Sequence, residues 1–182
     1  NNGSYPYVIQ DYSIDKGFVR YYNVLRDLKS EYIKEEYQHN QREYRGIQID
    51  LFPYDYGVME WGVRLVGKTY GFNERFFLGK NRVLTFLIFH FTRGVIIPFL
   101  KAVSKFKGRK IVGLGYETGD SGYYYYANDV FPLKSISFED LTVPCPNHPE
   151  AVLKIDYGCN YMELPPKNQR NHHKVLNIHF YD

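Results

Sequence analysis

The stretch Arg45-Gly46-Ile47-Gln48-Ile49-Asp50-Leu51-Phe52-Pro53-Tyr54-Asp55 decides how the rest of this sequence is interpreted. Isoleucine and leucine side chains alternate with polar ones in it, which is the period-two pattern of a half-buried β-strand. Pro53 ends the strand, because proline has no N–H to donate to a neighbouring strand. Asp50 and Asp55 stand near this strand end, where a rigid element can direct a side chain at a ligand.

The two carboxylates leave two interpretations open. A charge inside an apolar strand is costly unless it is paired or holds a cation. Asp50 and Asp55 can hold a divalent cation, because Mg²⁺ sites that serve phosphates commonly use one or two carboxylates and leave the other positions to water and substrate. In the second interpretation, one aspartate caps a turn and the other pairs with Arg45.

Composition places the chain among globular proteins with a real core. Its 182 residues predict a single domain, and its aromatic fraction of 18% is high. A net charge of +3 is too mild to favour a nucleic-acid partner, and we expect none. Two cysteines are too few for a disulfide scaffold, which indicates a reducing compartment. We therefore expect a cytoplasmic protein.

The middle of the chain changes to a helical pattern from Val58 to Lys107. Its most apolar part, Val83 to Val103, is long enough to suggest a membrane span, but His90, Arg93 and Pro98 argue against one. A core helix and an interfacial helix both remain open. The interfacial helix is favoured by the basic residues that follow, and it would place the protein peripherally on the inner face of a membrane. Those basic residues are Lys101, Lys105, Lys107, Arg109 and Lys110.

Two further regions carry clear local patterns. Residues 135–144 alternate on both sides of Glu139-Asp140, which predicts a β-hairpin, and a short helix follows from His148 to Tyr157. Tyr123 to Tyr126 is a run of tyrosines that fits a strand with two faces. Upstream, the charged residues from Glu31 to Glu43 predict a loop or a frayed helix.

Two ordered sets of motifs resemble the LicD family. Residues Gly46–Asp55 are similar to its Gly-x-x-Ile-Asp-Ile-Phe-Pro-Leu-Asp signature, and Arg26-Asp27-x-x-Ser30 is similar to a weaker upstream block. The second set follows the family's C-terminal pattern. It comprises Phe131-Pro132-Leu133, Phe138-Glu139, Pro144, Leu153, Tyr157-Gly158, Tyr161-Met162, Leu164-Pro165-Pro166 and Arg170-x-His172-His173.

The resemblance implies an α+β, nucleotidyltransferase-like fold with a mixed sheet, a helical insertion at about 58–107 (within 58–110), and a C-terminal hairpin plus short helix. It implies transfer of a phosphorylated alcohol, typically phosphocholine, from a CDP-activated donor such as CDP-choline to a sugar of a cell-surface glycan. Teichoic acid, lipopolysaccharide and capsule are the acceptors expected, and fukutin-like relatives transfer ribitol phosphate. Mg²⁺ or Mn²⁺ would bridge the donor pyrophosphate.

The resemblance also assigns roles to residues. Asp50 becomes a metal-site carboxylate, and Asp55 becomes its catalytic neighbour. Arg170, His172 and His173 become candidate contacts to the donor phosphates. Tyr124 and Tyr126 are candidates for a wall against the acceptor sugar or a choline headgroup, since a quaternary ammonium favours aromatic faces.

One departure from the family pattern changes the expectation for activity. Such proteins carry an upstream acidic cluster of the Asp-Asp-Asp-x-Asp kind, and nothing before Asp50 matches it. Since Asn1 is not an initiator methionine, we expect residues 1–182 to be one LicD-like domain that is incomplete at its N-terminus, and a poor catalyst alone. The alternative is a non-catalytic glycan-binding or scaffold homologue that has lost the metal site.

Overall fold

The structure is a computed structural model that describes residues 6–34, 44–120, 123–170 and 175–181. Its class is α+β, as predicted, with small antiparallel sheets and several helices. The chain divides into two compact units. The first comprises Asn1–Phe52, Tyr70–Phe89 and Pro165–Asp182, and the second comprises Pro53–Thr69 and His90–Leu164.

The first unit contains two antiparallel sheets built from five short strands. A three-stranded sheet has the order β1-β2-β4, and a two-stranded sheet pairs β3 with β10. The strands are β1 (Tyr7–Gln10), β2 (Asn23–Asp27), β3 (Ser30–Lys34), β4 (Gln48–Leu51) and β10 (Val175–Phe180). The prediction of a loop or frayed helix from Glu31 is wrong for residues 31–34, because β3 gains a partner strand at the far end of the chain. Residues 35–43 lie outside the described part.

The predicted strand around Asp50 is confirmed as β4, but its more exposed face is the apolar one. Ile49 is 62% exposed, whereas Gln48 and Asp50 are half-buried. Opposed residues of antiparallel strands share a face. Gln48 therefore shares its face with Arg26, its partner on β2, which is buried. The face of β4 that carries Gln48 therefore adjoins Arg26, a buried side chain that needs polar neighbours.

Arg26 holds the entrance to β4 in place. Its Nη1 donates to the Gly46 carbonyl at 2.9 Å, and its Nε donates to Oε1 of Gln10. Gln10 in turn donates to Asp15, and both side chains are buried. Ser30 accepts from the Ile47 N–H at 2.9 Å. The Arg26-Asp27-x-x-Ser30 block therefore clamps the start of the Gly46–Asp55 segment.

Aromatic side chains form much of the core of the first unit. Phe89 stacks on Tyr12 and Tyr21, with ring centroids 4.1 and 5.3 Å apart. Tyr22, with Phe18 and Val24, makes a second buried cluster, and its ring meets Phe52 edge-on at 4.9 Å. The high aromatic content of the sequence is thus partly explained by packing.

The second unit contains one three-stranded sheet and one hairpin, both antiparallel. The sheet has the order β5-β6-β7, and β8 pairs with β9 in the predicted hairpin. The strands are β5 (Tyr54–Tyr56), β6 (Ile111–Leu114), β7 (Tyr124–Tyr126), β8 (Lys134–Phe138) and β9 (Leu141–Cys145). Across the described residues, the strands pair in four small antiparallel sheets, which differs from the predicted mixed sheet.

The region predicted to be helical is helical from Glu60 to Lys107 apart from a break at residues 79–81, and the predicted short helix after the hairpin is present. The helices are α1 (Glu60–Leu78), α2 (Arg82–Phe91), α3 (Ile97–Ser104), α4 (Ala127–Val130) and α5 (Pro149–Tyr157), with a π-helical segment at Thr92–Ile96 and a 3₁₀ turn at Lys105–Lys107. Within the described residues, the run Arg82–Lys107 alone is long and apolar enough to cross a membrane, and its most apolar 18-residue window has a mean hydropathy of 1.9.

Tyr116 ties the second unit together from a short 3₁₀ turn, Tyr116–Thr118. It is fully buried, its hydroxyl accepts from the Met59 N–H at 3.0 Å, and it also makes a 2.6 Å hydrogen bond with Ser104 Oγ. One phenol therefore joins the start of α1, the end of α3 and the turn after β6. Because Glu117 belongs to the same turn, the buried Tyr116 fixes its position.

The close approach at Gly46 generates a stability prediction. A Cβ built on Gly46 would lie 1.7 Å from the Asp27 carbonyl oxygen. We expect Gly46→Ala to lower the free energy of unfolding by roughly 3 kcal/mol or more, because backbone rather than a flexible side chain fills the space. Urea-induced unfolding followed by circular dichroism measures this.

The control is Gly71→Ala in α1, where a Cβ would meet nothing within 4 Å. That change should raise the free energy of unfolding by roughly 0.5–1 kcal/mol, since alanine is the better helix former. Equal unfolding midpoints for the two variants would contradict the proposed role of Gly46.

Candidate functional site

Asp55 lies at the centre of β5, opposite Gly113 on β6, and its side chain is 21% exposed. The next segment after β6 brings Glu117, and the helical run brings Lys101. Lys101 Nζ lies 3.2 Å from Asp55 Oδ2 and 2.6 Å from Glu117 Oε1. All three belong to the second unit, and we call them the Asp55–Lys101–Glu117 cluster.

Each carboxylate of the cluster has one buried oxygen that makes no hydrogen bond to a described residue. Asp55 Oδ2 and Glu117 Oε2 are buried atoms, and neither makes a hydrogen bond within the described residues. The 3.2 Å contact from Lys101 to Asp55 Oδ2 is therefore an ion pair without hydrogen-bond geometry. Asp55 Oδ2 thus already faces one positive charge, whereas Glu117 Oε2 is a buried acceptor without a described donor, which is costly and suits a ligand that supplies positive charge.

Gly115 keeps the space beside these two oxygens open. A Cβ on Gly115 would lie 2.9 Å from Asp55 Oδ2, 2.9 Å from Glu117 Oε2 and 3.0 Å from Cγ of Pro53. Both oxygens therefore lie next to the space that a side chain at Gly115 would occupy. A side chain at this position would collide with them, so the glycine allows the carboxylates to approach each other around one point.

The electrostatics of the cluster favour a charged lysine. Burial lowers the pKa of Lys101, but its hydrogen bond to Glu117 and the charges of Glu117 and Asp55 outweigh burial, and its pKa is raised above the ordinary 10.5. Lys101 is therefore cationic at neutral pH and offsets one of the two negative charges. The cluster carries a net negative charge when both carboxylates are ionised.

Asp50 lies in the first unit, in different surroundings. Its side chain borders a cleft of about 390 Å³, which is also lined by Tyr32, Ile47, Gln48 and Ile178. Asp50 Oδ1 accepts a 3.0 Å hydrogen bond from Gln48 Nε2. Among the described residues it makes no ion pair within 4.0 Å, so its charge remains available to a ligand in the cleft. Asp50 and Asp55 thus belong to separate compact units.

The remaining predicted site residues are placed as follows. Arg170 is exposed, and its Nε donates to the Pro165 carbonyl at 2.6 Å, which leaves the terminal guanidinium nitrogens for other partners. His172 and His173 lie outside the described residues. Their role as phosphate contacts, together with that of Arg170, stays a prediction.

The tyrosine run is a strand with two faces. Tyr125 is buried and donates to Asp156 on α5 at 2.5 Å. Tyr126 is 67% exposed, whereas the ring of Tyr124 lies over Gly113 and its hydroxyl is buried. Burial and then the charge of Glu60 raise the pKa of Tyr124, so its phenol stays protonated at neutral pH. Tyr124 and Tyr126 share one face, as a wall against a ligand requires.

A metal centre made by the protein alone is not formed by the described residues, where no group of three or more His, Cys, Asp or Glu side chains comes together. The Asp55–Lys101–Glu117 cluster supplies two carboxylates. Mg²⁺ takes oxygen ligands and is commonly bound by one or two carboxylates together with water and substrate phosphates. The neighbouring carboxylates of Asp55 and Glu117 fit that chemistry.

Glu117 and Lys101 are the site residues that sequence reasoning misses. Lys101 is noticed only as part of a basic run, and Glu117 only as part of a glycine-rich loop. The Lys101–Asp55 and Lys101–Glu117 ion pairs span 46 and 16 positions of sequence, and the pairing of β5 with β6 places Asp55 beside the strand that leads to Glu117. The one local signal for this site is Gly115, which lies between the end of β6 and Glu117.

Comparison with known proteins yields no match. No protein-family model matches the chain, and neither the curated proteins nor the solved structures give a match to it. The similarity to the LicD family therefore stands on the motifs quoted above.

The cluster generates a prediction about stability. Replacing Lys101 by methionine leaves Asp55 and Glu117 close together without a cation. We expect Lys101→Met to lower the free energy of unfolding at neutral pH by about 1–2 kcal/mol, less than for a fully buried pair because the side chains are 18–34% exposed. Glu117→Gln in the Lys101→Met background should restore part of the loss. Lys134→Met, on the exposed hairpin, is the control and should change little.

The raised pKa of Lys101 fixes the pH dependence of this effect. A lysine whose pKa is higher in the folded state stabilises fully below its unfolded value, and the stabilisation is lost as pH rises through the folded value. The difference in unfolding free energy between the parent and Lys101→Met should therefore be constant from neutral pH to about pH 10. It should shrink above the ordinary lysine value of 10.5. A difference that disappears below pH 9 would contradict the ion pair.

Proposed function

We propose that this protein transfers a phosphorylated alcohol, typically phosphocholine, from a CDP-activated donor to a sugar of a cell-surface glycan. The motif similarity to the LicD family suggests the reaction class. The single structural observation that supports it is the Asp55–Lys101–Glu117 cluster, in which two carboxylates lie beside a lysine and Glu117 Oε2 makes no hydrogen bond to a described residue. Carboxylates with a neighbouring cation suit a donor pyrophosphate that arrives with a metal ion.

The proposed reaction forms one bond and breaks one bond. An acceptor hydroxyl oxygen attacks the phosphorus that carries the alcohol, the bond from that phosphorus to the bridging oxygen breaks, and CMP leaves. The hydroxyl proton passes to a base or to water. A bound Mg²⁺ or Mn²⁺ would neutralise phosphate charge during this transfer.

The residues of this chain have separate tasks in the proposal. Asp55 and Glu117 offer oxygen ligands to a cation in the second unit. The LicD-like motif assigns a metal-ligand role to Asp50, which borders the cleft of the first unit and makes no ion pair with another described residue. Lys101 is placed to stabilise negative charge on a phosphoryl oxygen. Tyr124 and Tyr126 offer aromatic surface for a choline headgroup or a sugar. We propose that the protein acts on the cytoplasmic side.

A second candidate is a non-catalytic glycan-binding or scaffold protein. One observation favours it, because Lys101 already lies against both carboxylates and offsets their charge internally. In this case the cluster is a structural ion pair, and the protein binds glycan without releasing CMP from the donor.

Turnover separates the two candidates. Full-length protein incubated with CDP-choline, Mg²⁺ and a teichoic acid or lipopolysaccharide preparation should release CMP. We expect Asp50→Asn and Asp55→Asn each to reduce kcat/KM by roughly a hundredfold or more, because each removes a carboxylate proposed to handle the metal-bound donor.

The control is Asp140→Asn, which changes an exposed aspartate in the turn between β8 and β9 and should leave turnover unchanged. Mn²⁺ binding measured by electron paramagnetic resonance gives a second reading, and it should weaken in Asp55→Asn. Glycan binding without CMP release from CDP-choline, CDP-glycerol or CDP-ribitol would favour the scaffold. Full activity in Asp50→Asn would refute the assignment of that residue.

A further inference from the structure

An apolar face is exposed along the helical run of the second unit. Phe91, Val95 and Phe99 follow one another at four-residue spacing, and Phe106 comes seven residues later, so the four side chains recur on one side of the run. Phe99 is 62% exposed and Phe106 is 91% exposed. We call these four residues the exposed apolar face. Large aromatic side chains so exposed along a helix mark an interaction surface rather than an ordinary protein exterior.

The other side of the same run is packed inside the protein. Ile97 and Leu100 are buried there together with two hydroxyl residues, Thr92 and Ser104. Aromatic side chains are therefore exposed while hydroxyls are buried, which reverses the usual arrangement of a surface helix. Only 28% of the most apolar window is buried. A helix with one face packed and the other apolar and exposed suits a surface on which it can lie flat.

Positive charge surrounds the C-terminal end of this face. Lys105, Lys107, Arg109 and Lys110 are all exposed, and Phe106 projects between the first two. The sequence contains no aspartate or glutamate from residue 75 to residue 116. The one charged residue between Phe91 and Phe99 is Arg93, which is also basic.

We propose that the exposed apolar face docks on a membrane surface rich in anionic lipid, with the helical run lying in the plane of the interface. The aromatic side chains enter the boundary between headgroups and acyl chains, and the four basic residues bind lipid phosphates or carboxylates. Apolar burial and charge attraction act together, which a neutral protein partner would not require. The inference does not depend on the proposed transferase activity.

Vesicle co-sedimentation of the full chain tests the proposal. The protein should bind vesicles that contain phosphatidylserine, should bind phosphatidylcholine vesicles far more weakly, and should be released by high salt. Replacing Lys105, Lys107 and Lys110 by glutamine should weaken the partition coefficient on the order of a hundredfold at low ionic strength. Phe99→Ser should weaken it by roughly tenfold.

Two matched controls distinguish this face from general stickiness. Lys134, Lys154 and Lys167 are also exposed, and their replacement by glutamine removes the same charge. Phe138 is 63% exposed on the hairpin, so Phe138→Ser matches Phe99→Ser. Both controls should bind vesicles as the parent does. Equal losses in test and control variants would overturn the proposal.

Two other outcomes would also overturn it. If the protein fails to bind vesicles and light scattering shows a dimer that Phe99→Ser dissociates, the face is an interface between copies. If bound protein resists both high salt and alkaline carbonate, the run crosses the bilayer instead of lying on it. Circular dichroism of each variant, which should match the parent because the changed side chains are exposed, excludes unfolding as the cause of lost binding.

Discussion

The buried guanidinium of Arg26 is the constraint on which the first unit depends. A charge 4% exposed is tolerated only where hydrogen bonds replace water, and Arg26 finds them in Gln10 and in the Gly46 carbonyl. The same network fixes the first residues of β4 and makes polar neighbours favourable on one face of the sheet. Asp50 therefore lies on a strand that begins next to residues fixed by hydrogen bonds to the side chains of Arg26 and Ser30.

The segment Gly46–Asp55 contains two aspartates, and their side chains lie in different surroundings. Asp50 borders a cleft and makes no ion pair with another described residue, whereas Asp55 lies in a cluster with Lys101 and Glu117. Both settings suit phosphate chemistry, the first by offering a carboxylate and the second by combining carboxylates with a cation. The proposed docking of the exposed apolar face would bring Lys101, which lies on the same helical run, close to lipid headgroups.

Local patterns predicted local structure well. The alternation around Asp50, the hairpin pattern around Glu139-Asp140 and the short helix predicted after it each depend on neighbours in sequence, and β4, the hairpin and α5 are all present. What failed depends on distant partners. Residues 31–34 form a strand because β10 pairs with them, the polar face of β4 is the less exposed one because of Arg26, and the Asp55–Lys101–Glu117 cluster exists because β5 pairs with β6. No periodicity within a short window reports such contacts.

The central claim is that Asp55, together with Glu117, binds a metal-bound nucleotide donor. Phosphorus magnetic resonance of CDP-choline with Mn²⁺ tests it most directly, since a protein-held paramagnetic ion beside the pyrophosphate shortens the relaxation times of both phosphorus nuclei. We expect an enhancement of relaxation that requires the protein and is lost in Asp55→Asn. Relaxation that is the same with and without the protein, or unchanged in Asp55→Asn, would contradict the claim.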